Sequence, residues 1–268
     1  MDWRSERSNL LNTIQSIRER QFLIRLLIRQ HLVLRYRRTF FGYLWTLMNP
    51  LLTMGASTVI FGTLFKADLK TFAVYLFAGF IPWNCFNNIL IQTSNSLLVN
   101  EGLMKKIAFP KIIFPIAVSI SVLIDSFLSF VALFILMLLI QPLFSWALVF
   151  IPLAFLMIYF FSLGIALILS ILTVYFRDLQ YVITILLQVF FFFTPVVYRS
   201  DSLGSGIVAK LMSLNPLNIF IELMRLPLVD HIFPDLLTIG IALSLSISSF
   251  IFGIYIFKKY EKTLIYRL

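Results

Sequence analysis

Six long runs of apolar residues divide this chain, and they limit the folds open to it more than any other feature. The runs cover residues 41–65, 71–97, 113–140, 144–176, 180–198 and 236–257. A helix needs about 20 apolar residues to cross the hydrocarbon layer of a membrane. Continuous apolar runs also favour helices over the alternating strands of membrane barrels. The sequence therefore predicts an all-α membrane protein with six transmembrane helices, in a single domain of residues 1–268.

The charges sort by side of the membrane. The chain has a net charge of +10, which would suggest a nucleic-acid partner for a soluble protein. With a cytoplasmic amino terminus, all but five of the 22 lysines and arginines fall on cytoplasmic segments. The five on the opposite side are Lys66, Lys70, Arg199, Lys210 and Arg225. This bias follows the positive-inside rule, so it predicts cytoplasmic termini and excludes nucleic acid as the reason for the charge.

Residues 10–38 precede the first run and are predicted to form an amphipathic helix on the cytoplasmic membrane surface. Arg18, Arg25 and Arg29 share one face of that helix. The other face carries apolar residues, which are Ile17, Leu23, Leu26, Leu27 and Leu34. A basic amphipathic helix of this kind lies at the headgroup boundary. An extension packed against a partner protein is the alternative, and the two interpretations are compatible.

Two of the connections between runs are longer than the others. The predicted cytoplasmic loop 98–112 is charged and contains Pro110. The predicted outer segment 199–235 is rich in leucine, isoleucine and phenylalanine, and it is broken at Asn215-Pro216 and Pro227. Because a structureless stretch of that length is unusual in a compact protein, we expect short helices that re-enter the membrane before the last span.

The sequence offers little catalytic chemistry. No G-x-x-x-x-G-K-[ST] phosphate loop and no H-E-x-x-H metal motif occurs, so neither a nucleotide site nor a catalytic residue is predicted. Cys85 is the single cysteine, and His31 and His231 are far apart, which argues against a metal site. Asp125 is the one acid well inside a predicted span. Such a carboxylate can serve a proton pathway, but a hydrogen bond to a neighbouring helix is favoured here, since no second buried acid or base accompanies it.

Aromatic and charged residues gather at predicted membrane boundaries. The first boundary carries Tyr36, Phe40, Phe41, Tyr43 and Trp45. Aromatic rings concentrate at membrane boundaries in general, and they also stack on sugars. The cluster is therefore compatible both with an aromatic belt at the boundary and with a surface that contacts a glycan.

Two pairs of opposite charges stand near the ends of predicted spans. Arg177 and Asp178 lie at the cytoplasmic end of the fourth run, where Asp178 would favour the start of the next helix. Glu222 and Arg225, in the outer segment, have the spacing of neighbours along one helical turn.

Three stretches carry a family resemblance, in order and across nearly the whole chain. They are RQHLVLRYRRTFFGYLWTLMNPLL with VIFGTLF, then YFRDLQYVITILLQVFFFFTPVVY, then LNPLNIFIELMR. Together they resemble the permeases of ABC-type polysaccharide exporters. The resemblance implies a homodimer in the bacterial inner membrane that pairs with two copies of a separate ABC ATPase subunit. ATP and Mg would be bound by that ATPase, and this chain itself would bind no cofactor.

The resemblance also implies roles for particular residues. The segment that couples to the ATPase would be Asn100, Glu101, Gly102, Leu103, Met104, Lys105 and Lys106. The glycan-contacting set would be Tyr36, Phe40, Phe41, Tyr43, Trp45, Phe193 and Tyr198. A gate at the outer mouth, within about 203–225, would include Asn215, Pro216, Glu222 and Arg225, and Arg177 with Asp178 would be the boundary pair. The implied cargo is a lipid-linked polysaccharide, with O-antigen as the first choice.

Several alternatives remain at this point. A related ABC permease could export capsule, teichoic acid, a drug or a lipid. A passive channel or scaffold would have no ATPase partner. An integral-membrane glycosyltransferase would need acidic residues on a cytoplasmic loop, and those loops provide only Glu101 and Asp178 beyond the termini.

Overall fold

The computed structural model describes residues 21–36, 44–106, 109–140, 145–198, 214–264 and 267. All regular elements within these ranges are helical. The α-helices are α1 (Gln21–Tyr36), α2 (Leu44–Leu64), α3 (Leu69–Ser94), α4 (Ser96–Val99), α5 (Glu101–Lys106), α6 (Ile113–Ile140), α7 (Ile151–Tyr175), α8 (Leu179–Phe192), α9 (Leu217–Arg225) and α10 (Leu236–Glu261). A 3₁₀ turn at Trp146–Phe150 leads into α7, and a π-helical turn at Leu226–Asp230 follows α9.

Four of the described helices are long and apolar enough to cross a membrane. They lie at Leu69–Ser94, Ile113–Ile135, Trp146–Tyr175 and Leu236–Glu261. These four match the second, third, fourth and sixth predicted runs within a few residues. The prediction of a multi-pass all-α membrane protein is therefore confirmed, whereas the count of six spans stays a prediction.

The fifth predicted run, 180–198, folds differently from a simple span. Its helix α8 has 14 residues, or about 21 Å, which is shorter than the hydrocarbon layer of about 30 Å. The chain turns at Thr194-Pro195, where Thr194 Oγ1 donates to the Phe190 carbonyl and Val196 N donates to the Thr194 carbonyl. Proline disfavours a helical conformation in the residue before it, which accounts for the early end of the helix.

Helix α7 packs between α3 on one side and α10 on the other. Phenylalanines fill the interior, and Phe77, Phe155, Phe220 and Phe257 are almost completely buried. In contrast, α10 is largely exposed, with Leu236, Leu237, Ile247, Ile251 and Phe252 outward. In a membrane protein, lipid covers such a face.

Where α7 and α10 cross, small residues bring the two backbones together. An added Cβ on Gly253 would lie 2.7 Å from Gly164 Cα, so side chains at these glycines would collide with the opposite backbone. Ser246 Oγ lies 2.7 Å from the Met157 carbonyl, and Ser249 Oγ donates to the Phe161 carbonyl at 2.8 Å. Small residues with cross-helix hydroxyl bonds are the usual means of helix association in membranes.

Helix α1 covers residues 21–36 of the predicted amphipathic segment, and residues 10–20 and 37–38 lie outside the described residues. It packs against α6 through the buried side chains of Ile24 and Leu27. The prediction placed Leu26 on the same face as Leu27, and the structure separates them, because Leu26 is 50% exposed. Consecutive residues point about 100° apart on a helix, so only one of the two can face α6.

Candidate functional site

The predicted coupling segment lies on the protein surface as a short helix of its own. After α3 ends, the chain forms two brief helices, α4 and α5, that are joined at Asn100. The Asn100 side chain donates to the Ser96 carbonyl at 2.7 Å. The backbone carbonyl of Asn100 accepts from the backbone N–H groups of Leu103 and Met104. No residue of α5 is buried, and Val99 just before it is 80% exposed. This segment therefore carries apolar and charged side chains on the protein surface.

Glu101 connects the coupling segment to the predicted boundary pair. Its Oε1 lies 2.5 Å from Lys105 Nζ, and its Oε2 lies 3.7 Å from the Arg177 guanidinium. The hydrogen bond from Lys105 is the main cause that lowers the pKa of Glu101, and the charge of Arg177 lowers it further. Exposed ion pairs contribute little to stability, so this contact matters for position rather than for folding.

Arg177 and Asp178 stand between α7 and α8, as predicted. Asp178 begins α8 through its backbone, since its carbonyl accepts from Tyr181 N and Val182 N. The sequence identified both members of the pair and missed the contact between Arg177 and Glu101. A signal for this contact was available in the sequence, because Arg177 and Glu101 lie on predicted cytoplasmic loops and carry opposite charges.

At the opposite end of the bundle, Asn215 ties α9 to the turn after α8. Its Oδ1 accepts from Leu217 N at 2.9 Å, which caps the start of α9. Its Nδ2 donates to Thr194 Oγ1 at 2.9 Å and to the Phe193 carbonyl at 3.2 Å. Asn215 is buried, so water cannot replace these bonds. Asn215, a predicted gate residue, therefore holds the turn after α8 and the start of α9 together. We call such a connecting residue a joint.

We expect Asn215→Ala to destabilise the folded protein by about 2 kcal/mol, because it removes a helix cap and leaves buried groups unpaired. Thermal unfolding of the purified, detergent-solubilised protein measures this change. Asp230→Asn, at an exposed position in the turn that follows α9, is the control and should unfold like the wild type. Equal unfolding temperatures for Asn215→Ala and the control would contradict the assigned joint.

Arg225 is the second joint at this end. Its guanidinium lies 3.9 Å from the centre of the Tyr75 ring, and its Nη2 donates to the Val196 carbonyl at 2.7 Å. The Tyr75 hydroxyl donates to the Tyr198 carbonyl at 2.7 Å. Gly79 provides the space, since a Cβ there would lie 2.9 Å from Arg225 Nη2 and 2.8 Å from the Val196 carbonyl. A cation over an aromatic ring is a favourable contact, and burial strengthens it.

The sequence analysis named Arg225 as a gate residue and Tyr198 as a glycan-contacting residue, and it missed Tyr75, Gly79 and the contacts that join them. Tyr75 and Gly79 are four residues apart, which places them on one face of α3. A tyrosine and a glycine at that spacing in an apolar span are a usable signal for close approach by another segment. The joint connects α3, the turn after α8 and α9 in one polar network.

The predicted glycan-contacting residues are only partly described. Phe40, Phe41 and Tyr43 lie outside the described residues, and Tyr36 ends α1. Trp45 is 52% exposed and Phe193 is 41% exposed, as contact with a cargo would require. Their role stays a prediction.

The residues described by the structure hold no group of three or more histidine, cysteine or acidic side chains that could bind a metal ion. Asp125 is buried within α6, and its backbone carbonyl accepts from Ser129 Oγ at 2.8 Å.

Comparison with known proteins gives one matching family and several similar proteins. The sequence model of the ABC-2 type transporter family matches residues 22–228, well over half of the chain. The O-antigen export system permease protein RfbA of Myxococcus xanthus is 27% identical over 227 residues, which are 84% of this chain and 87% of that protein. The protein of the same name from Klebsiella pneumoniae is 28% identical over 199 residues, or 73% of this chain and 75% of that protein.

Proposed function

This chain belongs to the ABC-2 type transporter family, and we propose that it is the channel-forming permease subunit of an exporter for lipid-linked O-antigen. The similarity to O-antigen export permeases over most of the chain is the observation that supports this cargo. The permease works as a homodimer in the bacterial inner membrane, with six spans per subunit and both termini in the cytoplasm. It has no catalytic residues of its own.

A separate ABC ATPase subunit, in two copies, binds ATP and Mg and supplies the energy. It contacts the permease through α5, and the absence of any buried residue in this helix supports the assignment. Val99 and Leu103 provide apolar contact, and Lys105 and Lys106 provide charge. An added Cβ on Gly102 would meet nothing within 4 Å, so a partner's groove can approach this side of the helix closely.

In this proposal, helix α8 carries the movement from the ATPase contact at α5 to the gate at α9. Closure of the ATPase subunits pushes on α5, and Glu101 transmits the push to Arg177, which immediately precedes α8. The other end of α8 leads to Thr194, where Asn215 joins it to α9. Rigid-body motion of α8 would therefore move α9, which acts as the gate at the outer mouth. Aromatic side chains, including Trp45, Phe193 and Tyr198, offer the glycan weak contacts that release easily.

The cargo is tested by deleting the gene and examining surface polysaccharide, with complementation by this chain together with its ATPase. Loss of O-antigen with intact capsule, and its return on complementation, is the expected result. Loss of another polymer with intact O-antigen would contradict the proposed cargo and point to a related exporter. Purification of the chain without any ATP-binding subunit would contradict the transporter complex.

We expect replacement of Glu101, Gly102 and Leu103 by alanine to uncouple ATP hydrolysis from export. Surface O-antigen should fall roughly tenfold or more, because ATP hydrolysis would no longer drive movement of the permease. The amount of permease in the membrane should not change, because α5 has no buried residue. Lys262→Ala, at an exposed position on the same side, is the control. Unchanged O-antigen display in the triple variant would rule out this coupling segment.

A further inference from the structure

A cavity of about 510 Å³ opens at the predicted outer ends of α2 and α3. Three segments of the chain form its walls: the α2–α3 hairpin, the turn after α8 and the π-helical turn. The side chains that matter for its chemistry are Phe65, Asp68, Phe72, Tyr75, Tyr198 and Val229. The cavity is therefore a place where one ligand could touch parts of the chain that are distant in sequence.

The walls of the cavity are almost entirely carbon. Phe72 packs edge-on against Phe65 and stacks on Tyr75, with ring centres 6.0 and 6.1 Å apart. The polar groups at its edge already have partners. Asp68 Oδ2 accepts from Thr71 N at 3.0 Å and from Thr71 Oγ1 at 2.9 Å, and the Tyr75 hydroxyl donates to the Tyr198 carbonyl. Sugar hydroxyls would lose their hydrogen bonds in such a site, whereas a hydrocarbon chain would lose none.

The surroundings of the cavity carry more positive than negative charge. Lys66 and Lys70 are exposed and lie within the hairpin that forms one wall. The Arg225 guanidinium lies on the ring of Tyr75, which is one of the residues that line the cavity. Asp68 and Asp230 provide two acids against these three cations, and the pKa of Asp68 is lowered mainly by its hydrogen bond from Thr71, so it stays ionised. Cationic side chains at a membrane boundary attract anionic lipid headgroups.

We propose that this cavity holds one acyl chain of an anionic phospholipid whose phosphate contacts Lys66 and Lys70. The apolar walls select a hydrocarbon chain, and the two lysines select a negative headgroup. The cavity also lies at the predicted ends of two spans, where lipid headgroups are expected. A bound chain would join the α2–α3 hairpin to Tyr198 and Val229, and so would hold the outer segment in the arrangement described above. The site would stabilise the resting state of the outer mouth, whatever polymer is exported.

The test uses the purified permease–ATPase complex, stripped of lipid by detergent and then incubated with phosphatidylglycerol or phosphatidylethanolamine. Native mass spectrometry counts the lipids that each chain retains. We expect retention of phosphatidylglycerol to fall at least roughly tenfold in the K66E/K70E variant, because it replaces two cations that attract an anionic headgroup with two anions that repel it. Val229→Trp, which fills the cavity, should have a similar effect. Val149→Trp, on an exposed position outside the cavity, should retain phosphatidylglycerol like the wild type.

Three outcomes would overturn the proposal. Equal retention of the two lipids by the wild type would exclude selection by charge. Unchanged retention in Val229→Trp would exclude the cavity, and Ala67→Phe serves as a second filling variant if the first does not fold. Stronger retention of polyprenyl phosphate than of phosphatidylglycerol would assign the site to a lipid carrier instead. None of these measurements depends on which polymer the complex exports, so the proposed cargo can fail while this site stands.

Discussion

Gly253→Leu should abolish the folded protein, whereas Gly240→Leu on the same helix should leave it intact. A side chain at Gly253 would enter the backbone of α7 at Gly164, and backbone cannot move aside as a flexible side chain can. Overpacking of a close contact costs about 1–3 kcal/mol or more, and here it also separates the bonds of Ser246 and Ser249 to α7. At Gly240, an added Cβ meets nothing within 4 Å.

Fluorescence-detected size-exclusion chromatography of the detergent extract measures the fraction of monodisperse protein for both variants. Gly253→Ala is the graded version, because its single methyl group already reaches Gly164 Cα. We expect it to lower the unfolding temperature, and Gly164→Ala should act in the same direction. A wild-type profile for Gly253→Leu would show that α7 and α10 do not cross at these glycines.

Arg225→Met should destabilise the protein by about 3 kcal/mol while keeping most of the side-chain volume. The substitution removes the cation from the Tyr75 ring and the donor from the Val196 carbonyl, and charge-assisted hydrogen bonds contribute about 1.5–3 kcal/mol. The expected fall in unfolding temperature is about 5 °C or more for a chain of this size. Export of O-antigen should fall as well, since the outer mouth loses its joint to α3.

Two further variants separate this joint from a general effect of charge. Lys262→Met removes an exposed cation that takes no part in this network and should unfold like the wild type. Gly79→Ala disturbs the same joint from α3, so its effect should not add to that of Arg225→Met in the double variant. Simple additivity of the two changes, or a wild-type unfolding temperature for Arg225→Met, would count against the network around Tyr75.

The sequence predicted the features of the fold that depend on the membrane and on the placement of charge, namely the apolar spans and the charged connections between them. Long apolar runs predicted α3, α6, α7 and α10 because a helix that crosses hydrocarbon must be apolar along its whole length. Glu101, Lys105 and Lys106 interrupt the apolar pattern, and the structure has a separate short helix there, while their coupling role stays a prediction. Arg177 and Asp178 interrupt the pattern in the same way, and they lie between α7 and α8.

What the sequence did not reveal is which face of each helix turns inward. In a soluble helix polar residues mark the outside, but lipid is as apolar as the core, so this contrast vanishes. Leu26 and Leu27 show the difficulty, because they are identical in type and opposite in exposure. The joints at Asn215 and Arg225 depend on backbone carbonyls of Phe193 and Val196, and a carbonyl leaves no mark in the sequence.

The narrow line of contact along α10 has a consequence for how this helix can vary. Its inward positions are Ala242, Ser246, Ser249, Gly253 and Phe257, spaced three or four residues apart. Selection for packing can act on those positions, whereas the outward ones need only remain soluble in hydrocarbon. A library that scrambles apolar residues at the outward positions should therefore yield mostly functional transporters, and α10 is the natural place to attach a spectroscopic label.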